Sequence, residues 1–273
     1  MAIKKRWVRN KNGSVRGPYL YEYRSIREGE NVRTVYVRYM GRGVSAPREA
    51  LRLERADPGS NLSRCLEGYA SGKAVIAFDL ETTGFSGEDD APIEIAAVKV
   101  VVGSAGGQML IMDRWSTLVN PGREIPGMIQ KLTNITQDMV RDAPDVGTAY
   151  RAFREWTGSP RYQFWLGQNV DFDLRFVRRL DERYGFEGIP DTRVMDTLDL
   201  SRSLYPEAEH HTLKDIQRRE QVRMSDVDAG DQEGGGQLHR ATTDCEITAR
   251  AWRSMSEKAK FLIEYGYPDS AVD

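Results

Sequence analysis

The chain has 273 residues with 39 Lys+Arg, 41 Asp+Glu and a formal charge of −2. That length suits one large domain or a main domain with an appendage. A charged fraction of 29% with 40% apolar residues excludes the disordered and fibrous classes. No apolar run approaches the ~20 residues that cross a bilayer, and Cys65 and Cys245 are too few for a disulfide framework or a thiolate zinc site.

Residues 1–60 carry 14 Lys+Arg against 6 Asp+Glu, whereas the rest carries 25 against 35, so a basic module precedes an acidic body. Met1-Ala-Ile-Lys-Lys-Arg-Trp-Val8 lacks the apolar run of a signal peptide, and a reducing cytoplasmic setting without a membrane is expected. In the basic module, Tyr19, Tyr21 and Tyr23 alternate with Leu20 and Glu22, and Val35, Val37 and Tyr39 with Thr34, Tyr36 and Arg38. This period of two predicts a small antiparallel sheet over residues 4–40. A short helix from Pro47 and the break Ala56-Asp-Pro-Gly-Ser-Asn61 predict a helix and linker over 46–72.

The pattern then changes. Residues 74–80 form an apolar run ending in charge, as in a buried strand. Strands are expected over 93–102, 109–119, 164–166 and 194–198. Helices are expected over 126–133, 146–156, 212–220 and 241–259, and another from the helical spacing of Leu174, Val177 and Leu180. Residues 225–236, rich in Asp, Glu and Gly, predict a loop. Strands followed by helix–strand alternation predict an α/β fold with a mixed sheet flanked by helices.

Asp79 and Glu81 stand two apart at the end of that buried strand, so both carboxylates project from one face. Close like charges raise one another's pKa unless a cation lies between them. Oxygen ligands of this type suit Mg²⁺ or Mn²⁺. Thr82-Thr83-Gly84 adds hydroxyls and a permissive turn; the competing reading is an ordinary solvated strand end. Two further segments follow: Gly167-Gln-Asn-Val-Asp-Phe-Asp173, an apolar strand, an Asn turn and an acid on a helix, and His239-Arg-Ala-Thr-Thr-Asp244.

With these three segments in this order, the chain resembles the DEDDh group of 3′–5′ exonucleases, particularly the proofreading epsilon-subunit type, over residues 74–260. Asn120-Pro-Gly, Lys131-Leu-Thr-Asn-Ile-Thr136, Asp196-Thr-Leu and His211-Thr-Leu-Lys add to the resemblance. It implies a ribonuclease H-like mixed sheet and nucleic-acid hydrolysis from the 3′ end with two Mg²⁺ or Mn²⁺ ions. By the same resemblance, Asp79, Glu81, Asp173 and Asp244 are the metal-binding carboxylates and His239 is the general base. Thr82, Thr83, Asn169 and Phe172 lie at the terminal nucleotide, and Leu132 and Ile135 wedge against terminal bases. Gln168 stands where the family often has His, and Asp171 offers a rival carboxylate to Asp173. Thr243-Asp-Cys-Glu246 also fits a capping box, which would set Asp244 in a first helical turn. Gly234-Gly-Gly236 would let His239 swing in with substrate.

The expected division is a basic β module (1–45), a helix and linker (46–72) and an exonuclease domain (73–273). The expected substrate is DNA with a single-stranded or frayed 3′ end. An RNA 3′-exonuclease and a non-catalytic nucleic-acid-binding or polymerase-associated module are the alternatives. A polymerase or other protein is a candidate partner. For the β module, base stacking and phosphate contact, docking to the acidic body and partner binding all remain open.

Overall fold

The computed structural model describes residues 2–9, 15–28, 31–42, 48–103, 108–224 and 240–265. The expected N-terminal sheet is antiparallel, with β1 (Ala2–Arg9), β2 (Val15–Glu28) and β3 (Asn31–Arg42) in that order. Helices α1 (Arg48–Ala56) and α2 (Asn61–Ser71) follow. The main sheet has the order β6-β5-β4-β7-β8. Its central strand is β4 (Ala74–Thr82), flanked on one side by antiparallel β5 (Pro92–Val102) and β6 (Met109–Leu118). On the other side, β7 (Phe164–Gly167) and β8 (Val194–Asp196) run parallel to it.

Between β6 and β7 lie α3 (Gly127–Thr133), α4 (Gln137–Val140) and α5 (Val146–Thr157), and α6 (Asp171–Tyr184) joins β7 to β8. The chain continues through α7 (Thr197–Leu204), α8 (Leu213–Glu220) and α9 (Arg240–Tyr265). No helix among the described residues is long and apolar enough to cross a membrane.

Strand alternation sorts the core into two layers. Val75 and Ala77 pack with Ala96, Val98 and the apolar faces of α1, α2, α7, α8 and α9. Ile76, Phe78 and Leu80 point the other way, into the layer built by α5 and α6. Trp252 of α9 is fully buried and meets the Tyr69 ring edge-on at 6.4 Å. A five-residue apolar cluster under α3 includes Ile125, Ile129 and Ile135.

Residues 48–71 hold two helices, with Leu51, Leu62, Cys65, Leu66 and Tyr69 buried in the α9-side core. The Asp57-Pro-Gly signal marks the turn between them. Two expectations change. The strand expected over 194–198 ends at Asp196, whose carboxylate accepts the Leu198 N–H at 2.7 Å and caps α7. Because α9 begins at Arg240, Thr243 lies inside the helix and not at its cap. The loop expected over 225–236 falls outside the described residues.

Outside the site, buried charges among the described residues are held by opposite charges or by backbone N–H groups. Lys258 of α9 donates to Glu220 of α8 at 2.8 Å, and Glu220 also accepts from Tyr205 (2.6 Å) and Ser254 (2.7 Å). Removing one partner strands a buried charge, at a cost of about 3–5 kcal/mol. Lys258→Met therefore lowers stability by that order in denaturant melts, and adding Glu220→Gln recovers part of the loss.

Candidate active site

Asp79 and Glu81 share the β4 face that carries Val75 and Ala77, so both look toward α9, where Asp244 sits. Glu94 is paired with Glu81 across β4 and β5 and is only 4% exposed. A register shift between Glu81 and Thr82 interrupts the ladder just beyond.

Asp173 arrives from the other layer. Strand β7 pairs with β4 only as far as Ala77, leaving the β7 side of β4 open beyond that point. There the buried Asp173 carboxylate accepts the Leu80 N–H at 3.0 Å. The turn that delivers it is fixed by Asp196, which accepts the N–H groups of Asn169 and Val170, each at 3.0 Å. Asn169 has φ 59°, a left-handed conformation that Asn tolerates well. The rival Asp171 is exposed on the outside of α6. Asp244 is held in register by its neighbour Glu246, buried between Arg114 of β6 (2.9 Å) and Arg250 (2.7 Å).

The electrostatics bind these groups into one site. Burial, then repulsion from Asp173, Glu81, Asp244 and Glu94, holds the Asp79 carboxyl well above the usual range. Burial, then Glu81 and Asp244, pushes Glu94 up to about 8. Burial also raises Asp173, against the pull of the Leu80 N–H. The Cys245 thiol is raised by burial and by the same carboxylates. Among the described residues, no three His, Cys, Asp or Glu side chains form a ready-made metal cage. The donor set nevertheless suits a hard cation: the largest electrostatic influences on Asp79 are all carboxylate oxygens, and a divalent ion would relieve them.

The remaining expected residues divide. Thr82 and Thr83 are buried, and their hydroxyls bond within the turn. Thr82 donates to the Gly84 carbonyl (2.6 Å), and Thr83 donates to Asp90 (2.8 Å) while accepting from the Ala91 N–H (3.1 Å). Their hydroxyls shape the turn. A Cβ on Gly84 would stand 2.5 Å from Asp90 Oδ2, which is why glycine is required there. Arg179 of α6 anchors the same turn through the Glu88 and Asp90 carbonyls. Leu132 is 62% exposed, whereas Ile135 is buried in the cluster under α3. Asn169 is exposed, and Phe172 meets Phe85 at 6.3 Å. Gln168 bridges Thr197 and the His211 carbonyl, so it braces the turn. His239 lies outside the described residues.

Glu94 and Asp90 were not singled out from the sequence. Glu94 left one signal, a single acid inside the apolar run Pro92-Ile-Glu-Ile-Ala-Ala-Val98.

A family model for exonucleases, RNase_T, matches residues 76–252. The chain belongs to that exonuclease family. Similar curated proteins are DNA polymerase III PolC-type of Bacillus subtilis, 37% identical over 174 residues, and of Listeria welshimeri, 32% identical over 197 residues. These alignments cover 64% and 72% of the chain, which spans only 11% and 12% of those polymerases. Escherichia coli Exonuclease I in complex with a dT13 oligonucleotide shares the fold, with a TM-score of 0.55 at 18% identity. That match covers 71% of this chain and 43% of Exonuclease I. The exonuclease's ribonuclease H-like fold is thus the one its sequence implies.

The raised carboxyls bind protons more tightly folded than unfolded. Their contribution to stability is therefore present below the ordinary carboxylate range and lost as pH rises through about 8. In chelator, the melting temperature falls between pH 6 and pH 9, and Glu94→Gln flattens part of that slope. Millimolar Mn²⁺ raises the wild-type melting temperature at pH 8 and leaves that of Asp79→Ala unchanged.

Proposed function

We propose that this exonuclease removes nucleotides from the 3′ end of DNA, acting on single-stranded or frayed ends with two divalent ions, Mg²⁺ or Mn²⁺. The observation that carries this reading is the clustering of Asp79, Glu81, Asp173 and Asp244 into one mutually repelling group at the open end of β4. Other buried acids among the described residues meet cations or backbone N–H groups, as in Arg154–Asp181 at 2.8 Å, Lys258–Glu220 at 2.8 Å and Asp196 with the Val170 N–H at 3.0 Å. The largest influences on Asp79 after burial are instead carboxylates, an environment that favours a bound positive charge.

Asp79, Glu81, Asp173 and Asp244 would hold the ions. When bound, such ions stabilise the attacking and leaving oxygens of phosphodiester hydrolysis. His239 is assigned the proton of the attacking water, a role suited to a group with an ordinary pKa of about 6.5. Exposed Leu132 offers an apolar contact to the terminal base, and Asn169 and Phe172 flank the nucleotide from the α6 turn. An end already unpaired enters without the cost of melting a duplex. DNA is favoured over RNA because the relatives are DNA polymerases, and a separate polymerase is the protein partner this reading calls for. The setting is cytoplasmic.

Digestion of matched 5′-labelled DNA and RNA oligomers with Mg²⁺ or Mn²⁺ tests the reading. The wild type gives a descending ladder from the 3′ end, faster on DNA. Asp79→Ala abolishes it, and His239→Ala slows it by about 10²–10⁴-fold, the usual contribution of a general base. A faster RNA ladder moves the substrate to RNA. Binding without cleavage of either strand overturns the enzyme assignment in favour of a binding module.

A further inference from the structure

The carboxylate site is negatively charged and its proposed substrate is a polyanion, so the strand beyond the terminal nucleotide needs a surface of opposite sign. One lies at the far end of α8. An open groove of about 510 Å³ is lined there by Lys214, Gln217, Arg218, Gln221, Val222 and Arg223. Every polar side chain in that lining can donate hydrogen bonds, and none is a carboxylate.

Lys214, Gln217, Arg218 and Gln221 follow the 3- and 4-residue spacing of one helix face. Gln221, with φ 56°, ends the helix, and the Val222 N–H bonds back to the Gln217 carbonyl at 3.0 Å. That turn places Arg223 beside the same face. Lys214, Arg218, Gln221 and Arg223 are all exposed, and the adjacent acid, Asp215, is held by Arg218 at 3.0 Å.

Strand β3 of the basic N-terminal sheet contacts α8, the helix that carries the groove. That sheet exposes Arg24, Arg27 and Arg33, and carries Tyr21, Tyr23 and Tyr36 as one aromatic group. Tyr36 is 52% exposed, with its ring 6.2 Å from Tyr21 and 5.9 Å from Tyr23. Cations that track a backbone beside rings that stack bases are the two components of single-strand recognition.

We propose that the α8 groove and the N-terminal sheet form an exosite for the backbone of a single-stranded nucleic acid, separate from the carboxylate site. The proposal deepens the exonuclease reading and rests on it for the identity of the strand.

The test uses the full chain carrying Asp79→Ala, without divalent ions, and follows the anisotropy of 5′-fluorescein dT20 as KCl is raised. Adding Lys214→Ala, Arg218→Ala and Arg223→Ala weakens binding at least tenfold. It also makes the slope of log affinity against log salt shallower by about 2, from three phosphates at ~0.7 each. A control triple, Arg141→Ala, Arg161→Ala and Arg178→Ala, makes the same charge change on other exposed surfaces and keeps affinity within twofold. Tyr36→Ala weakens binding with little change in slope.

Circular dichroism and melting confirm folding, and a glutamine version of the groove triple substitutes if the alanine one unfolds. Equal losses in both triples, or no loss in the groove triple, overturn the exosite. Unchanged affinity in Tyr36→Ala removes the sheet from it. Displacement of dT20 by polyglutamate at matched charge would assign the groove to an acidic protein and overturn the proposal. The wild-type digestion ladder is read separately: its absence with groove binding intact removes the nuclease reading and leaves the strand-binding one.

Discussion

Like charge held at the end of a buried strand is the constraint on which this molecule turns. Asp79, Glu81 and Glu94 lie on one face of β4 and β5, and Asp173 and Asp244 close on them from opposite layers. Left to themselves these carboxylates would separate. They stay together because β4 is gripped on both faces, by Val75 and Ala77 against the α9 side and by Ile76, Phe78 and Leu80 against the α5–α6 side. The core supplies apolar burial, and part of what that burial stabilises is repulsion at the strand end.

The contrast with other buried acids separates scaffold from site. Asp181 has Arg154 and the Tyr150 hydroxyl, Glu220 has Lys258, Glu246 has two arginines, and Asp196 has three backbone N–H groups. Each joins two elements: α5 to α6, α8 to α9, β6 to α9, and β8 to the turn before α6. The largest influences on Asp79 and Glu94, after burial, are other acids. The paired and hydrogen-bonded acids fix the positions of the helices, and α6 and α9 carry Asp173 and Asp244 into place.

What was legible in the sequence follows from range. Asp79 and Glu81 were readable because an apolar strand ends in charge, and period two puts both on one face. Asp173 was readable as an acid on the helix after an Asn turn, and the mixed sheet flanked by helices from the succession of strands and helices. Features that depend on distant partners were not. Glu94 is a lone acid in an apolar strand, and only its cross-strand pairing with Glu81 gives it meaning. The partner of the Thr83 hydroxyl, Asp90, lies seven residues beyond it and was not readable from the motif. Ile135 and Leu132 are indistinguishable as apolar residues; burial alone separates core from surface. The segment 46–72 read as a helix and linker because its Asp-Pro-Gly turn is a strong local signal, whereas the burial of Leu51 and Tyr69 is set by α9, nearly 200 residues away.

The same electrostatics explain how the chain distributes its charge. A cluster of acids repels a polyanion and attracts cations, so bound cations reduce the repulsion that the substrate strand would meet. The reach of such a site at physiological salt is short, about 8 Å. A surface that collects the strand must therefore be built of its own cations, beyond the range at which the acids would cancel them. With net +8 over residues 1–60 and net −10 over the rest, this chain keeps the two signs apart along its sequence. Strand β3 of the basic sheet contacts α8, the helix that carries the basic groove. On the proposed reading, separation of charge becomes separation of tasks, with one sign holding the polymer and the other gathering the ions.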